Sequence, residues 1–219
     1  TDVLLHLYLG IRFMTQYPHL ANFKTIEGHW QDRNVFRPII HDFYNKHDVK
    51  SILEIGFNIG YSASMWLEFD PDKESTLTSV DIGIHADTVK AAKAVKNLHG
   101  NRFSFILSDS KKVKKQLKGQ MFDLAFIDGD HSNVGVASDI RLCIDLEIPL
   151  LLFDDYWTYS ETNGIREVCN QFVEMKKLSL IKVYDLDIEQ PKLALFRNDT
   201  IHTQKNFLTR QLSKLSPKR

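Results

Sequence analysis

Apolar positions along the chain follow two periods, and the switching between them marks out the elements. Runs of strand length stand at Ser51–Ile55, Leu77–Val80, Arg102–Leu107, Phe122–Ile127 and Leu150–Phe153. Between them lie stretches of helical spacing at Ser62–Glu68, Ala86–Leu98, Lys111–Leu117 and Val134–Leu146, with a helix over Val35–Lys46 leading in. Strands that alternate with helices predict a mostly parallel sheet covered on both faces, because parallel neighbours need a crossover. The end of the chain differs. Leu178–Tyr184 and Lys192–Arg197 are β-rich, and the Asp185–Pro191 connection is too short for a crossover helix, so the two pair antiparallel as a hairpin. The expected fold is an α/β, doubly wound, seven-stranded, mostly parallel sheet with an antiparallel C-terminal hairpin and helices on both faces.

Two segments flank this body. Val3, Leu4, Leu7, Tyr8, Ile11 and Met14 recur at helical spacing until Pro18, so residues 1–34 read as a helical extension and 35–198 as the main domain. Residues 199–219 carry Lys205, Arg210, Lys214, Lys218 and Arg219, a basic tail that reads as a solvated helix. At 219 residues, one domain with a substantial core is expected.

Ligands of an open α/β sheet collect beyond the carboxyl ends of its strands, so the residues that close each strand carry the candidate chemistry. After the first strand comes Glu54-Ile55-Gly56-Phe57-Asn58-Ile59-Gly60-Tyr61-Ser62, a glycine turn opening a helix. A dinucleotide site would place a glycine where Phe57-Asn58 stands, and the acid Glu54 suits a cationic tail better than a pyrophosphate. Asp81 closes the second strand 21 positions after Gly60, near the spacing expected of a ribose-binding acid. Asp109 follows the third in Leu107-Ser108-Asp109-Ser110, where it either caps a helix or faces a ligand. Two adjacent strands then end in acids, Asp128-Gly129-Asp130-His131-Ser132 and Asp154-Asp155-Tyr156-Trp157. Gathered carboxylates need a cation or a proton between them.

The turn, of the form E-x-G-x-x-x-G, resembles the first motif of the class I S-adenosylmethionine-dependent methyltransferases. That resemblance implies a Rossmann-like sheet and a cofactor site of Glu54, Gly56, Asn58, Gly60, Tyr61, Ser62, Asp81, Asp109 and Asp128. Glu54 would meet the methionine ammonium directly or through water, or else be held by the loop's own amides. The paired acids resemble those of the metal-dependent O-methyltransferases of catechol and macrocin type. This implies that Asp128, Asp154 and Asp155 bind Mg²⁺, or Mn²⁺ or Ca²⁺ in its place, as hard oxygen donors do. His131 stands where the catechol enzymes carry a catalytic lysine, so Asp128 and His131 are the candidate catalytic pair. His131 serves either as the base or as an ordering group for the loop. Asp130 is a partner of His131 or the metal, or a turn residue. The implied acceptor is a small hydroxylated molecule, sugar-like or natural-product-like, with residues 1–34 as a lid; the aromatics His29, Trp30, Tyr156, Trp157 and Tyr159 line it or pack.

Charge narrows the partners. Lys+Arg and Asp+Glu each total 28, so no global field favours nucleic acid or an anionic membrane. A second reading keeps methyl transfer without metal and uses the tail and Lys111-Lys112-Val113-Lys114-Lys115 to grip RNA; a third is a cofactor-binding subunit without catalysis. Cys143 and Cys169 have no metal-type spacing, and no apolar stretch approaches membrane-spanning length. With no signal-peptide order at the N-terminus, a soluble cytoplasmic protein is expected, compatible with a homo-oligomer.

Overall fold

A computed structural model of the protein describes residues 17–23, 33–156, 164–185 and 192–201. The elements run α1 (Arg33–His47), β1 (Ser51–Ile55), α2 (Tyr61–Phe69), β2 (Thr76–Asp81), α3 (Thr88–His99), β3 (Phe103–Leu107), β4 (Leu124–Ile127), α4 (Asn133–Asp145), β5 (Leu150–Phe153), α5 (Ile165–Glu174), β6 (Leu178–Asp185) and β7 (Lys192–Asn198). They form one seven-stranded sheet of order β3-β2-β1-β4-β5-β7-β6. β1 to β5 are parallel, while β7 lies antiparallel between β5 and β6. This is the Rossmann-like methyltransferase arrangement expected from the alternation and the terminal hairpin. The proposed extension and tail lie largely outside the described residues, as do His29, Trp30, Trp157 and Tyr159. No helix among the described residues is long and apolar enough to cross a membrane.

The strands explain the two layers. Successive side chains point to opposite faces, so Ile52, Leu124, Phe126 and Leu152 enter one core with Phe36, Ile40 and Phe43 of α1, Trp66 of α2 and Val95 of α3. Leu53, Ile55, Ala125, Ile127, Leu151 and Phe153 enter the other, with Ile140 and Cys143 of α4 and Ile165, Val168, Cys169 and Phe172 of α5. Both cysteines are free core thiols, pushed up in pKa by burial.

Two elements depart from expectation. The strand expected from Phe122 begins at Leu124, because the Asp123 carboxylate accepts from the backbone N–H groups of Lys50 and Ser51, both at 2.9 Å, instead of extending the ladder. The lysine-rich helix is a short 3-10 turn, Ser110–Lys115, that inserts only Val113 and, just beyond it, Leu117 into the core. Four lysines with one buried anchor have little to fold a longer helix around.

The register sets the strand ends level. Ile55 pairs with Val80 on one side and Ile127 on the other, and Ile127 pairs with Phe153. The residues that follow, Gly56, Asp81, Asp128 and Asp154, therefore share one edge, and the order reverses between β1 and β4, where such sheets bind ligands.

Trp66 is fully buried, with Phe43 and Phe126 ring centroids at 5.5 and 6.3 Å. Trp66→Ala is expected to lower unfolding free energy by about 3–5 kcal/mol, measured as a urea midpoint shift at constant m-value.

Candidate active site

Beyond the level strand ends opens a cavity of about 920 Å³, whose walls include Gly56 to Ser62, Asp81, Ile82, Ile84, His85, Asp109, Lys111, Asp128, His131, Asp154 and Asp155. Its size falls within the range of sites that enclose a cofactor-sized molecule. Of the expected site residues, only Glu54 is absent from the lining.

The glycine turn is shaped by the chain's own crossing. Gly56 has φ +93°, and a Cβ there would stand 1.9 Å from the backbone oxygen of Asp128. Gly60 has φ +87°, and its Cβ would meet the Phe57 ring at 2.5 Å. Both glycines are thus required by left-handed backbone and protein contacts as well as by any ligand. Asn58 also adopts positive φ, 52°. The loop is fixed from beneath by Asp81, whose Oδ2 accepts from the N–H of Phe57 at 2.8 Å and Asn58 at 2.9 Å, while Oδ1 accepts from Gly83 at 2.6 Å. A carboxylate has about four acceptor positions, so Asp81 keeps capacity toward the cavity.

Glu54 lies beneath this floor, fully buried. Its Oε1 accepts from Ser62 Oγ at 2.5 Å and its Oε2 from the Ser79 hydroxyl. Two serine hydroxyls hold it, not backbone amides. Burial pushes its pKa up to about 8, against the lowering effect of those hydroxyls, with the charges of Asp128 and Asp81 adding to the rise. Ser62 stands between Glu54 and the cavity, so a cation there meets the carboxylate through that hydroxyl.

Asp109 caps the 3-10 turn, Oδ1 accepting from Lys111 N at 2.9 Å, and still borders the cavity. Asp130 is a turn residue: its Oδ1 accepts from Ser132 N at 3.0 Å, its Oδ2 pairs with Lys111 at 3.3 Å, and the Ser132 contact holds its carboxyl below the usual range. Ser132 in turn caps α4 through Gly135 N. Tyr156 packs on Phe196 at 5.7 Å in the core and forms no wall.

The acids close on a histidine. His131 Nε2 is 3.4 Å from Asp128 Oδ1, and Nδ1 is 3.7 Å from Asp155 Oδ2. Donor atoms of Asp128, His131 and Asp155 all lie within 4.8 Å of one another. Asp154, expected as the third donor, is buried with Oδ1 accepting from Asp155 N at 2.9 Å; it borders the same cavity but stands outside that trio. Asp155 is held at φ 51°, a conformation that persists only where surroundings enforce it. The close contact with Asp128, followed by the charges of Asp128, Asp155 and Asp154, raises the pKa of His131 against the opposing effect of burial. The carboxylates thus favour imidazolium, which must lose its proton before acting as a base. Two carboxylates and an imidazole suit a divalent ion, and the nitrogen makes Mn²⁺ as suitable as Mg²⁺.

Sequence reasoning did not single out Ile82, Ile84 or His85, which border the cavity just after Asp81. Their signal was there to read: apolar residues after a strand end are unusual in a solvated turn, and Ile84 is 74% exposed.

Residues 53–156 match a family model described as a methyltransferase domain. A search of curated proteins gives no match. Similar solved structures include an S-adenosylhomocysteine-bound methyltransferase, PaMTH1, from Podospora anserina, at 18% identity over 88% of this chain and 86% of that one, TM-score 0.58. An O-methyltransferase from Bacillus cereus, also bound to S-adenosylhomocysteine, shares 16% identity over 87% and 91% of the two chains, TM-score 0.62. CalS11, a TDP-rhamnose 3′-O-methyltransferase of calicheamicin biosynthesis, shares 13% identity over 87% and 93%, TM-score 0.61. Residues 53–156 are thus similar to a methyltransferase domain, and these solved methyltransferase structures share the fold of the sheet.

An acid whose folded pKa is raised from 4.5 to about 8 adds stability below the lower value and loses it as pH rises through the higher. Between these limits the ligand-free protein is therefore expected to lose stability through Glu54. Glu54→Gln removes the titration, so urea unfolding across that window gives a flatter pH dependence than wild type; an unchanged slope contradicts the assignment.

Proposed function

We propose that the protein is an S-adenosylmethionine-dependent O-methyltransferase that modifies a small hydroxylated acceptor with the help of a divalent ion. One observation carries the reading: the glycine turn with Asp81 and Asp109, and the cluster of Asp128, His131, Asp154 and Asp155, border a single cavity. A methyl donor on the first wall thus faces whatever the second wall holds. Near neutral net charge and the small-molecule acceptor named for CalS11 favour this over an RNA acceptor.

Asp81 would accept from the cofactor's ribose hydroxyls, Asp109 with the exposed apolar pair Ile82 and Ile84 would hold its adenine, and Ser62 Oγ would accept from its ammonium. Ser62 Oγ donates to Glu54, so binding of the ammonium favours ionised Glu54. Asp128 and Asp155 would hold the ion, which would supply Lewis acidity toward an acceptor hydroxyl when bound. The acceptor oxygen attacks the methyl carbon in line, the C–S bond breaks, and the sulfonium leaves as a neutral thioether. His131 takes the hydroxyl proton, having first given up the one that Asp128 and Asp155 favour. Positioning of the two reactants supplies much of the rate.

Calorimetry of S-adenosylhomocysteine binding tests the donor wall. Asp81→Ala is expected to weaken it by about 10–100-fold, the loss of one or two hydrogen bonds to a charged group. Formation of S-adenosylhomocysteine from S-adenosylmethionine, followed by mass spectrometry over a panel of catechols and sugar diols, tests the rest. Turnover is expected with at least one acceptor and is expected to fall in chelator and in Asp155→Ala. Turnover undiminished in chelator removes the ion from the mechanism, and absence of cofactor binding removes the reading altogether.

A further inference from the structure

A second set of metal-type donors lies outside the cavity. His19, in the segment Tyr17–Phe23, meets Glu68 near the end of α2 and His99, the last residue of α3; one donor atom from each lies within 4.8 Å of the others. Tyr61 opens α2 at the cavity wall, and Glu68 stands two turns further on, roughly 10 Å along the axis. The cluster is thus separate from the acids at the strand ends. Three stretches of chain distant in sequence supply it, which local turn or capping chemistry does not explain.

We propose that His19, Glu68 and His99 form a Zn²⁺ site that clips the Tyr17–Phe23 segment onto helices α2 and α3. Two imidazoles and one carboxylate are a zinc donor set, which leaves a fourth position for water. His99 Nε2 is buried and finds no hydrogen-bond partner among the described residues, a group left waiting for a proton donor or a metal. Burial, with the nearby charges of Arg102 and Lys73 and the His19 ring, lowers the His99 pKa to about 4. At neutral pH its lone pair is therefore already available for coordination, without a proton to displace.

The same neighbours discriminate between ions. Arg102, already paired with Asp70 at 2.9 Å, and Lys73 add positive potential near His99, so a hydrated Mg²⁺ or Ca²⁺ held by the one carboxylate of Glu68 gains little, whereas an ion that makes coordinate bonds to nitrogen gains two. Zinc bonds of about 2.0–2.2 Å require the donors to approach more closely than their present spread. His19 Nε2 meets Ser64 Oγ at 2.9 Å, a hydrogen bond that a metal would replace, and its ring already meets His99 edge-on at 6.3 Å. The backbone beneath it is anchored independently by buried Tyr17 and Leu20. Tyr17 packs on Tyr61 at 5.1 Å, so a clip here also braces one wall of the cofactor cavity.

The test uses the full chain carrying Asp128→Asn and Asp155→Asn, which disables the acids at the strand ends, titrated with Co²⁺ as a spectroscopic probe and displaced by Zn²⁺. One equivalent with the visible bands of four-coordinate cobalt is expected. Adding His99→Gln, or separately the surface-reaching Glu68→Gln, is expected to weaken Zn²⁺ binding by more than about 100-fold, beyond the 10–100-fold cost of losing a supporting partner. Circular dichroism reports whether each variant folds, and Glu68→Gln gives the same readout if His99→Gln does not. Absence of the bands, or affinity unchanged in a folded variant, overturns the proposal. Because the strand-end acids are already removed, either result is independent of the proposed methyl transfer.

Discussion

The site depends on one crossing of backbone over backbone. β1 and β4 end level, and the chain leaving β1 passes so close to the Asp128 carbonyl that no side chain fits at Gly56. That approach sets the glycine turn against the loop carrying Asp128 and His131, so the donor wall and the acidic wall face each other across one cavity. Asp81 secures it from the other side by taking two N–H groups of the turn. The turn is therefore pinned at both flanks, which suits a site that must hold a sulfonium in line with an acceptor.

Electrostatics give the cavity its character. Asp81, Asp109, Asp128, Asp154 and Asp155 all border it, with Glu54 buried below. Collected like charges raise the proton affinity of whatever can carry a proton, and Glu54 and His131 both respond that way. Their shifts have different origins: burial dominates for Glu54, while Asp128 acts directly on His131. A cationic cofactor and a divalent ion would relieve the same excess of negative charge, so ligand occupancy and protonation are coupled at this end of the sheet.

A contrasting cluster brackets α2 at its other end. Around Glu68 the donors are mainly imidazoles with neighbouring cations, and the pKa of half-buried His99 is lowered where that of His131 is raised. Histidine's pKa lies near neutrality, so modest surroundings shift its state, and this fold shifts two histidines in opposite directions.

Much of this was legible in the chain alone. The strand and helix periods gave the sheet, its parallel body and its antiparallel end, because burial on both faces forces apolar runs at β1, β4 and β5 and the Asp185–Pro191 connection excludes a crossover. The acids after the strand ends were legible for the same topological reason. What required three dimensions was the pairing of groups. Sequence spacing could not show that Asp155, at positive φ, turns toward His131 while the Asp154 carboxylate takes its neighbour's N–H, nor that the hydroxyls of Ser62 and Ser79 hold the buried Glu54. His19, Glu68 and His99 carry no motif at all. Side-chain direction and long-range proximity arise from packing between elements far apart in sequence, whereas the periods that specify those elements are local.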